Sequence, residues 1–197
     1  MEPSIDDLKK NYKNFSDNEL IRIATTDASG LRPEAIQVMQ EEIKSRGLSI
    51  DLLKGIEVQR KAISESELVE YCELLRTQPC PVCGSTSSRL NATMTGNVVS
   101  FIVFTNYEKK LLVACPDCLA KANKNAMIKS ALLGWWGFPW GIIKTIQALI
   151  FNNKLSGQTR IAEPNDMLKG FVIGQIGTIE ANKTNPERLN LLLKNLN

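Results

Sequence analysis

The chain has 197 residues, of which 43% are hydrophobic and 23% are charged, so its composition is that of a globular protein and excludes a disordered chain. It contains no histidine, which excludes catalytic triads built on histidine and catalytic metals held by histidine. Residues 1–78 carry 11 Lys+Arg and 15 Asp+Glu, a net charge of −4, whereas residues 79–197 carry 13 and 6, a net charge of +7. The basic half is therefore a candidate surface for nucleic acid or for an anionic membrane.

Short helices are predicted for the first part of the chain, residues 1–78, which we expect to form an N-terminal helical module. Ser16 followed by Glu19 has the spacing of a capping box at the start of a helix. Pro33 suits the first position of the next helix, and Gly47 suits its end.

Four of the five cysteines form two pairs, Cys80 with Cys83 and Cys115 with Cys118, each separated by two residues. Two such turns supply four thiolates, the tetrahedral ligand set that Zn²⁺ prefers, and they leave no position for water or substrate. Cys72 lies on the apolar face of a predicted third helix, and we interpret it as a small core residue rather than a nucleophile. The N-terminal residues lack the apolar core of a secretory signal peptide, so we expect a reducing compartment in which thiolates bind metal. Two disulfides and one unpaired thiol are the alternative.

The segment between the cysteine pairs has strand composition, rich in threonine and in apolar residues such as Val103. We expect two or three antiparallel strands, with a turn at residues 106–109 and with residues 91–97 partly in a loop. Phe101 and Phe104 are expected in the core of this sheet. Together with the four cysteines, residues 79–120 are predicted to form a small antiparallel zinc ribbon.

Residues 121–155 include the most hydrophobic stretch, residues 131–151, which holds all three tryptophans and a single charged residue, Lys144. Glycines and Pro139 interrupt this stretch, so we predict two helices joined at residues 134–141, each too short to cross a bilayer. Tryptophan favours the membrane–water interface, which suggests a hairpin wedged into one leaflet. The residues predicted to contact a membrane or a partner are Trp135, Trp136, Phe138, Trp140, Ile142 and Ile143.

The same stretch has two other interpretations. It could form a tight corner between helices inside a soluble core, or it could bury against its copy in a second chain. Residues 156–197 are predicted to form C-terminal helices, the last beginning at Pro186. The predicted fold is thus α+β and mostly helical, with N-terminal helices, a four-cysteine zinc ribbon, a broken hydrophobic helical hairpin and C-terminal helices.

One group of proteins shares these features. Residues 80–151 resemble uncharacterised bacterial zinc-ribbon proteins in which a Gly/Trp-rich hydrophobic segment, here LLGWWGFPWG at residues 132–141, follows the second cysteine pair. The N-terminal pattern is similar to a helical module that accompanies bacterial membrane-associated proteins. The resemblance implies this architecture and a bacterial setting, and it implies no reaction.

These observations predict a non-enzymatic, zinc-binding adaptor or scaffold whose Trp-rich hairpin contacts a membrane or a protein partner. We expect a cytoplasmic location at the inner face of the membrane, and a homo-oligomer is compatible with the apolar segment. The alternative is a nucleic-acid-binding zinc ribbon, although the lysines of the basic half are scattered and arginine occurs there only at Arg89, Arg160 and Arg188. No enzyme is expected, because no pair of nucleophile and base can be assembled.

Overall fold

The computed structural model describes residues 4–102, 104–157 and 159–196, so Val103, counted above among the strand residues, lies outside them. The described chain is α+β and mostly helical, as the sequence predicts. It divides into two compact units, one made of Met1–Tyr71 and Phe171–Pro186, the other of Cys72–Gly170 and Glu187–Asn197. The modules expected from the sequence, with boundaries after residues 78, 120 and 155, stay predictions.

Short helices with local end signals build the first unit. They are α1 (Ile5–Asn14), α2 (Asp17–Arg22), α3 (Pro33–Ser45), α4 (Asp51–Arg60) and the later α9 (Ile176–Ala181). The capping box predicted at Ser16 is confirmed, because its hydroxyl accepts a hydrogen bond from the Glu19 N–H while the Glu19 carboxylate accepts one from the Ser16 N–H. Ser4 and Asp7 cap α1 in the same way. A π-helical turn, Ile23–Asp27, follows α2 directly.

The core of the first unit is formed by apolar side chains that these helices direct inward. Its fully buried members include Leu20, Met39 and Ile43, each 0% exposed. Gly55 allows α4 to approach α9 closely, since a Cβ placed there would lie 2.7 Å from the carbonyl oxygen of Gly177. The helices α5 (Glu65–Arg76), α8 (Asp166–Gly174) and α10 (Pro186–Lys194) each contain a boundary between the two units.

An antiparallel hairpin forms the centre of the second unit, with β1 at Asn91–Phe101 and β2 at Phe104–Ala114. Asn91 faces Ala114 at one end, and Phe101 faces Phe104 at the other. The turn expected at residues 106–109 is wrong, because those residues lie within β2, and the loop expected at residues 91–97 is wrong, because they lie within β1. A turn at 106–109 would have left nearly all of β1 without partners in β2, so the longer ladder determines the register.

Two long helices pack on β1 and on each other. They are α6 (Pro116–Leu133) and α7 (Trp140–Ser156), and the elbow between them confirms the predicted break at residues 134–141. α6 begins at Pro116, which directly follows Cys115 at the helix N-cap. α7 ends at Ser156.

Candidate metal centre and apolar tip

The two cysteine pairs lie at the base of the hairpin, each in a different local structure. Cys80 and Cys83 belong to a tight turn in which the Gly84 N–H donates to the Cys80 carbonyl at 2.8 Å. Gly84 has φ +74°, a left-handed conformation that favours glycine. Cys115 is the N-cap of α6, and Cys118 lies in the first turn of that helix. One tight turn and the start of one helix therefore position all four thiols.

The four sulfur atoms form one cluster. All four Sγ atoms lie within 4.8 Å of one another, and Cys83 Sγ is 3.7 Å from Cys115 Sγ. Four thiolates arranged tetrahedrally about 2.3 Å from one ion are separated by about 3.8 Å. The Cys83–Cys115 pair already has about that separation, and the 4.8 Å limit leaves every other pair within about 1 Å of it. The structure thus brings together the four predicted ligands, which could hold a metal ion.

The thiols of the cluster differ in how readily they ionise. Burial opposes ionisation of Cys80, but backbone N–H groups of Cys115, Cys83 and Val82 donate to its sulfur and bring its pKa down to about 7. The Cys115 N–H lies 3.4 Å from that sulfur. Burial raises the pKa of the Cys118 thiol, and its hydrogen bonds with Cys115 and Cys83 raise the pKa further. A bound cation would reverse this preference, because metals bind the thiolate.

Polar contacts hold the protein around the first cysteine pair. Asn190 of α10 donates to the carbonyl of Pro79, which precedes Cys80, at 2.8 Å. Arg76 is 3% exposed, and its guanidinium donates to the carbonyls of Leu90 at 3.0 Å and Ala162 at 2.6 Å. Arg76 thus ties the end of α5 to the residue before β1. Sequence reasoning missed this role, since an arginine in the last turn of a helix ordinarily faces solvent.

At the far end of the hairpin, exposed apolar side chains form a surface that we call the apolar tip. A bridge between Ile102 and Gly137 joins the strand turn to the elbow of the helices. The exposed members are Phe101, Ile102, Phe104, Trp135, Trp136, Phe138 and Trp140. Phe138 is 83% exposed and Trp136 is 71% exposed, so the side chains of this corner are not packed inside the chain's own core.

Two members of the apolar tip correct a prediction. Phe101 and Phe104 were expected in the core of the sheet, but they are 74% and 67% exposed. They face each other in the last pair of the ladder, beyond the part of β1 that α6 and α7 cover. The sequence predicted exposed contact residues only in the helical hairpin, and the strand turn is an additional part of the apolar tip.

Glycines form the inner side of the elbow. Gly134, Gly137 and Gly141 are buried, whereas the aromatic residues between them are exposed. A Cβ at Gly137 would lie 2.8 Å from Thr105 Oγ1, and one at Gly141 would lie 2.7 Å from Ser100 Oγ. The spacing of glycine and aromatic residues thus gives the elbow one face that fits closely on the hairpin and one face that points away from it.

Polar side chains fill the space between α6, α7 and β1. Asn152 is 0% exposed, accepts a hydrogen bond from the Gly96 N–H at 2.9 Å, and donates to the carbonyls of Gly96 at 2.7 Å and Ala148 at 2.8 Å. Ser130 Oγ accepts from the Val98 N–H at 3.0 Å. These helix residues therefore satisfy backbone groups on the edge of β1 that faces away from β2.

The outward sides of the same helices are apolar. We call this surface the exposed helix face, and it consists of Ile128, Leu132, Leu133, Ile142, Ile143, Ile146 and Ile150. It includes the two isoleucines that the sequence predicted as contact residues, at 36% and 43% exposed. Lys144 instead lies over the Tyr107 ring of β2, with Nζ 5.9 Å from its centroid. Within the described ranges, no helix has both the length and the apolar content needed to cross a bilayer.

Comparisons with protein-family models, with curated proteins and with solved structures find no match to this chain. The function proposed below is therefore inferred from the chain's own residues and their geometry.

Proposed function

We propose that the protein is a non-enzymatic adaptor in which a four-thiolate zinc site fixes the base of the hairpin, and the apolar tip is the contact surface for a membrane or protein partner. One observation carries the proposal: the cysteine cluster and the apolar tip occupy opposite ends of the same 11-residue strands. A metal at one end would fix the strand ends, and through the ladder it would determine the orientation of the tip.

Zinc is the proposed metal because of the donor set. Four thiolates select zinc or iron among the common metals, and hard cations such as Mg²⁺ and Ca²⁺ require oxygen ligands. A shell closed by four protein ligands is the structural type of zinc site, which contributes to folding. The resemblance of residues 80–151 to bacterial zinc-ribbon proteins supports the same choice.

An adaptor fits the site better than an enzyme does. Four cysteines complete a tetrahedral shell, so the proposed ion has no open position at which it could activate water or bind a substrate. The apolar tip, in contrast, is an exposed apolar surface, and exposed surfaces of this kind mark interaction sites. The proposal assigns structure to the cysteine end and recognition to the tip end.

The proposal is tested by metal analysis of freshly purified full-length protein. We expect about one equivalent of zinc per chain, lost in Cys83→Ser and kept in Cys72→Ala, which alters a cysteine outside the cluster. Removal of the metal with a chelator should lower the unfolding temperature of the wild type but not that of Cys83→Ser. Protein that contains no stoichiometric metal, or that contains iron with its visible thiolate absorption, would overturn the zinc assignment.

A further inference from the structure

The polarity of the second unit changes along its length. Near the cysteine cluster its interior is apolar, as in ordinary soluble domains, and the buried residues there include Leu90, Val113 and Leu119, each 0% exposed. Toward the tip the interior becomes smaller and more polar, with Val98 of β1 as a fully buried apolar residue there. The buried residues of α6, α7 and the elbow in that part are Asn123, Ala126, Ser130, Gly134, Gly137, Gly141, Thr145, Ala148 and Asn152.

The outer surface changes in the opposite sense. In the part where the interior is polar, the exposed helix face and the apolar tip present isoleucine, leucine, phenylalanine and tryptophan to the outside. Such an arrangement is unfavourable in water, since the hydrophobic effect drives apolar side chains inward. It is favourable in lipid, where small and hydrogen-bonding residues mediate contacts between helices and apolar residues face the hydrocarbon. A polar interior with an apolar exterior thus distinguishes a lipid environment from an ordinary protein interface.

The dimensions of the apolar surface fit one leaflet. Along α7 the exposed isoleucines extend from the elbow to Ile150, ten residues after Trp140, which corresponds to about 15 Å at the helical rise of about 1.5 Å per residue. The hydrocarbon core of a bilayer is about 30 Å thick, so this length is about half of it. In this orientation Trp135, Trp136 and Trp140, at the elbow, would be among the most deeply inserted side chains.

The charge distribution fits an anionic surface. No charged residue occurs from position 90 to position 107 or from position 130 to position 143, the segments that form the tip. Residues 118–162 contain five lysines and Arg160 but no aspartate or glutamate, a net charge of +6. Of the four charged residues that flank these segments, Arg89, Lys129 and Lys144 are basic and Glu108 is acidic. The flanking charge is therefore mostly basic, as it would be where a protein meets phosphate headgroups.

A shallow groove provides a place for a headgroup beside the apolar surface. It has a volume of about 260 Å³ and lies between β2 and α6. Lys110 and Lys129 line it together with the amides of Asn97 and Asn125. Lys129 lies four residues before Leu133, about 6 Å back along α6 from the start of the elbow. With the elbow inserted, the long side chain of Lys129 would extend back along α6 to bring its ammonium to a lipid phosphate.

We propose that the partner of the apolar tip is an anionic lipid leaflet, into which the apolar tip and the exposed helix face insert while lysines contact the headgroups. This inference rests on the proposed adaptor function, since it names the partner of the same surface. Insertion forms no covalent bond, and its driving force is the removal of the exposed apolar side chains from water.

The experiment uses the purified full-length protein with bound metal, sedimented with vesicles of mixed phosphatidylcholine and phosphatidylglycerol or of phosphatidylcholine alone. All three tryptophans belong to the apolar tip, so intrinsic fluorescence reports on that surface without a label. We expect tighter binding to the anionic vesicles, a blue shift of tryptophan emission on binding, and quenching by brominated acyl chains.

Two pairs of variants separate the contributions. Trp136→Ser combined with Phe138→Ser should weaken vesicle binding roughly a hundredfold, because both side chains are exposed and would be removed from water on insertion. Its control, Ile50→Ser, alters an equally exposed apolar residue of the other unit and should bind as the wild type does. Lys129→Gln should weaken binding to anionic vesicles about fivefold, whereas Lys9→Gln in α1 should not.

The outcomes also separate this inference from the proposed function. Sedimentation without a blue shift would mean adsorption by charge alone and would overturn insertion. Failure to sediment would overturn the lipid assignment. A dimer in gel filtration that depends on the tip would then favour a second copy as the partner, and salt-sensitive binding to an oligonucleotide would favour nucleic acid. Stoichiometric zinc in the same preparation would leave the metal-fixed adaptor standing, whereas absence of metal would remove the adaptor proposal itself.

Discussion

Asn152 tests whether the polar interior stabilises the second unit. Its side chain makes three hydrogen bonds with backbone groups, two of them to Gly96, at a site that is 0% exposed. Replacement by leucine keeps a similar volume but leaves the Gly96 N–H and carbonyl without this partner. Each buried group that loses its partner costs about 1–3 kcal/mol, and burial of a leucine offsets about 1–2 kcal/mol. We expect Asn152→Leu to lower the free energy of unfolding by about 2–3 kcal/mol.

Asn152→Asp adds a dependence on pH with a defined sign. The new carboxylate can still accept from the Gly96 N–H, but when ionised it cannot donate to the carbonyls of Gly96 and Ala148. Burial and these carbonyl oxygens should raise its pKa in the folded protein above the unfolded value of about 3.9. A folded pKa that is raised gives stability that is present at low pH and lost as the pH rises. The variant should therefore be closer to the wild type at pH about 4.5 than at pH about 8.

Urea unfolding of the metal-bound protein, followed by circular dichroism, measures these differences. The control is Asn153→Leu, which changes the adjacent exposed asparagine of α7 and should shift stability by less than about 0.5 kcal/mol. If Asn152→Leu were as stable as the wild type, or more stable, the hydrogen bonds to Gly96 would not be holding α7 on β1. The polar side chains between α6, α7 and β1 would then not be what stabilises the second unit.

Two further predictions concern close packing and the base of the hairpin. Gly141→Ala should destabilise the protein by about 1–3 kcal/mol, since the new Cβ would lie 2.7 Å from the Gly134 carbonyl oxygen. Its control, Gly170→Ala, places a Cβ with nothing within 4 Å and should stabilise the protein by about 0.5–1 kcal/mol. Thermal unfolding of both variants measures the contrast, and equal effects would contradict it. Arg76→Met should lower the free energy of unfolding by about 2–4 kcal/mol, because the buried carbonyl of Leu90 and the carbonyl of Ala162 lose their donor; a loss below about 0.5 kcal/mol in urea unfolding would refute this.

Local signals allowed several elements to be predicted from the sequence. Ser16 and Glu19 provide hydrogen-bond acceptors for N–H groups at the start of α2, and Pro33 has no N–H group that needs a partner at the start of α3. Their effect therefore does not depend on distant residues. The break between α6 and α7 was predictable for the same reason, since glycine and proline act on their own backbone. The spacing of the cysteines likewise predicted a cluster, because two short turns suffice to bring four sulfurs together.

The failures concern features that depend on distant contacts. Asn106 to Lys109 has the composition of a turn, but the position of the hairpin turn is determined by which register pairs the most residues. The role of Asn152 was missed, because nothing in its neighbourhood indicates the Gly96 backbone groups that it meets 56 positions away. Phe101 and Phe104 were assigned to the core because composition alone does not show how far along the strand the helices reach.

Ile102 offers a test in which stability and membrane binding should change in opposite directions. It has φ +42°, a conformation that is unfavourable for a β-branched residue, and its side chain is 71% exposed. Hairpin turns of two residues ordinarily use asparagine or glycine at such positions. An exposed isoleucine there has little packing within the chain to offset the strain, which fits the proposed role of its side chain in contact with lipid.

Ile102→Gly should therefore leave the free energy of unfolding unchanged or raise it by up to about 1 kcal/mol, because the strain is relieved while the unfolded chain gains freedom. Its affinity for anionic vesicles should fall about tenfold, since an exposed apolar side chain is lost from the apolar tip. Gly47→Ala is the matched control: Gly47 has φ +67° with nothing within 4 Å, so alanine should destabilise the fold by about 1 kcal/mol without changing vesicle binding. If Ile102→Gly lowered stability and left vesicle binding intact, the strand turn would be a structural element, and the surface that meets the bilayer would be confined to the helical elbow.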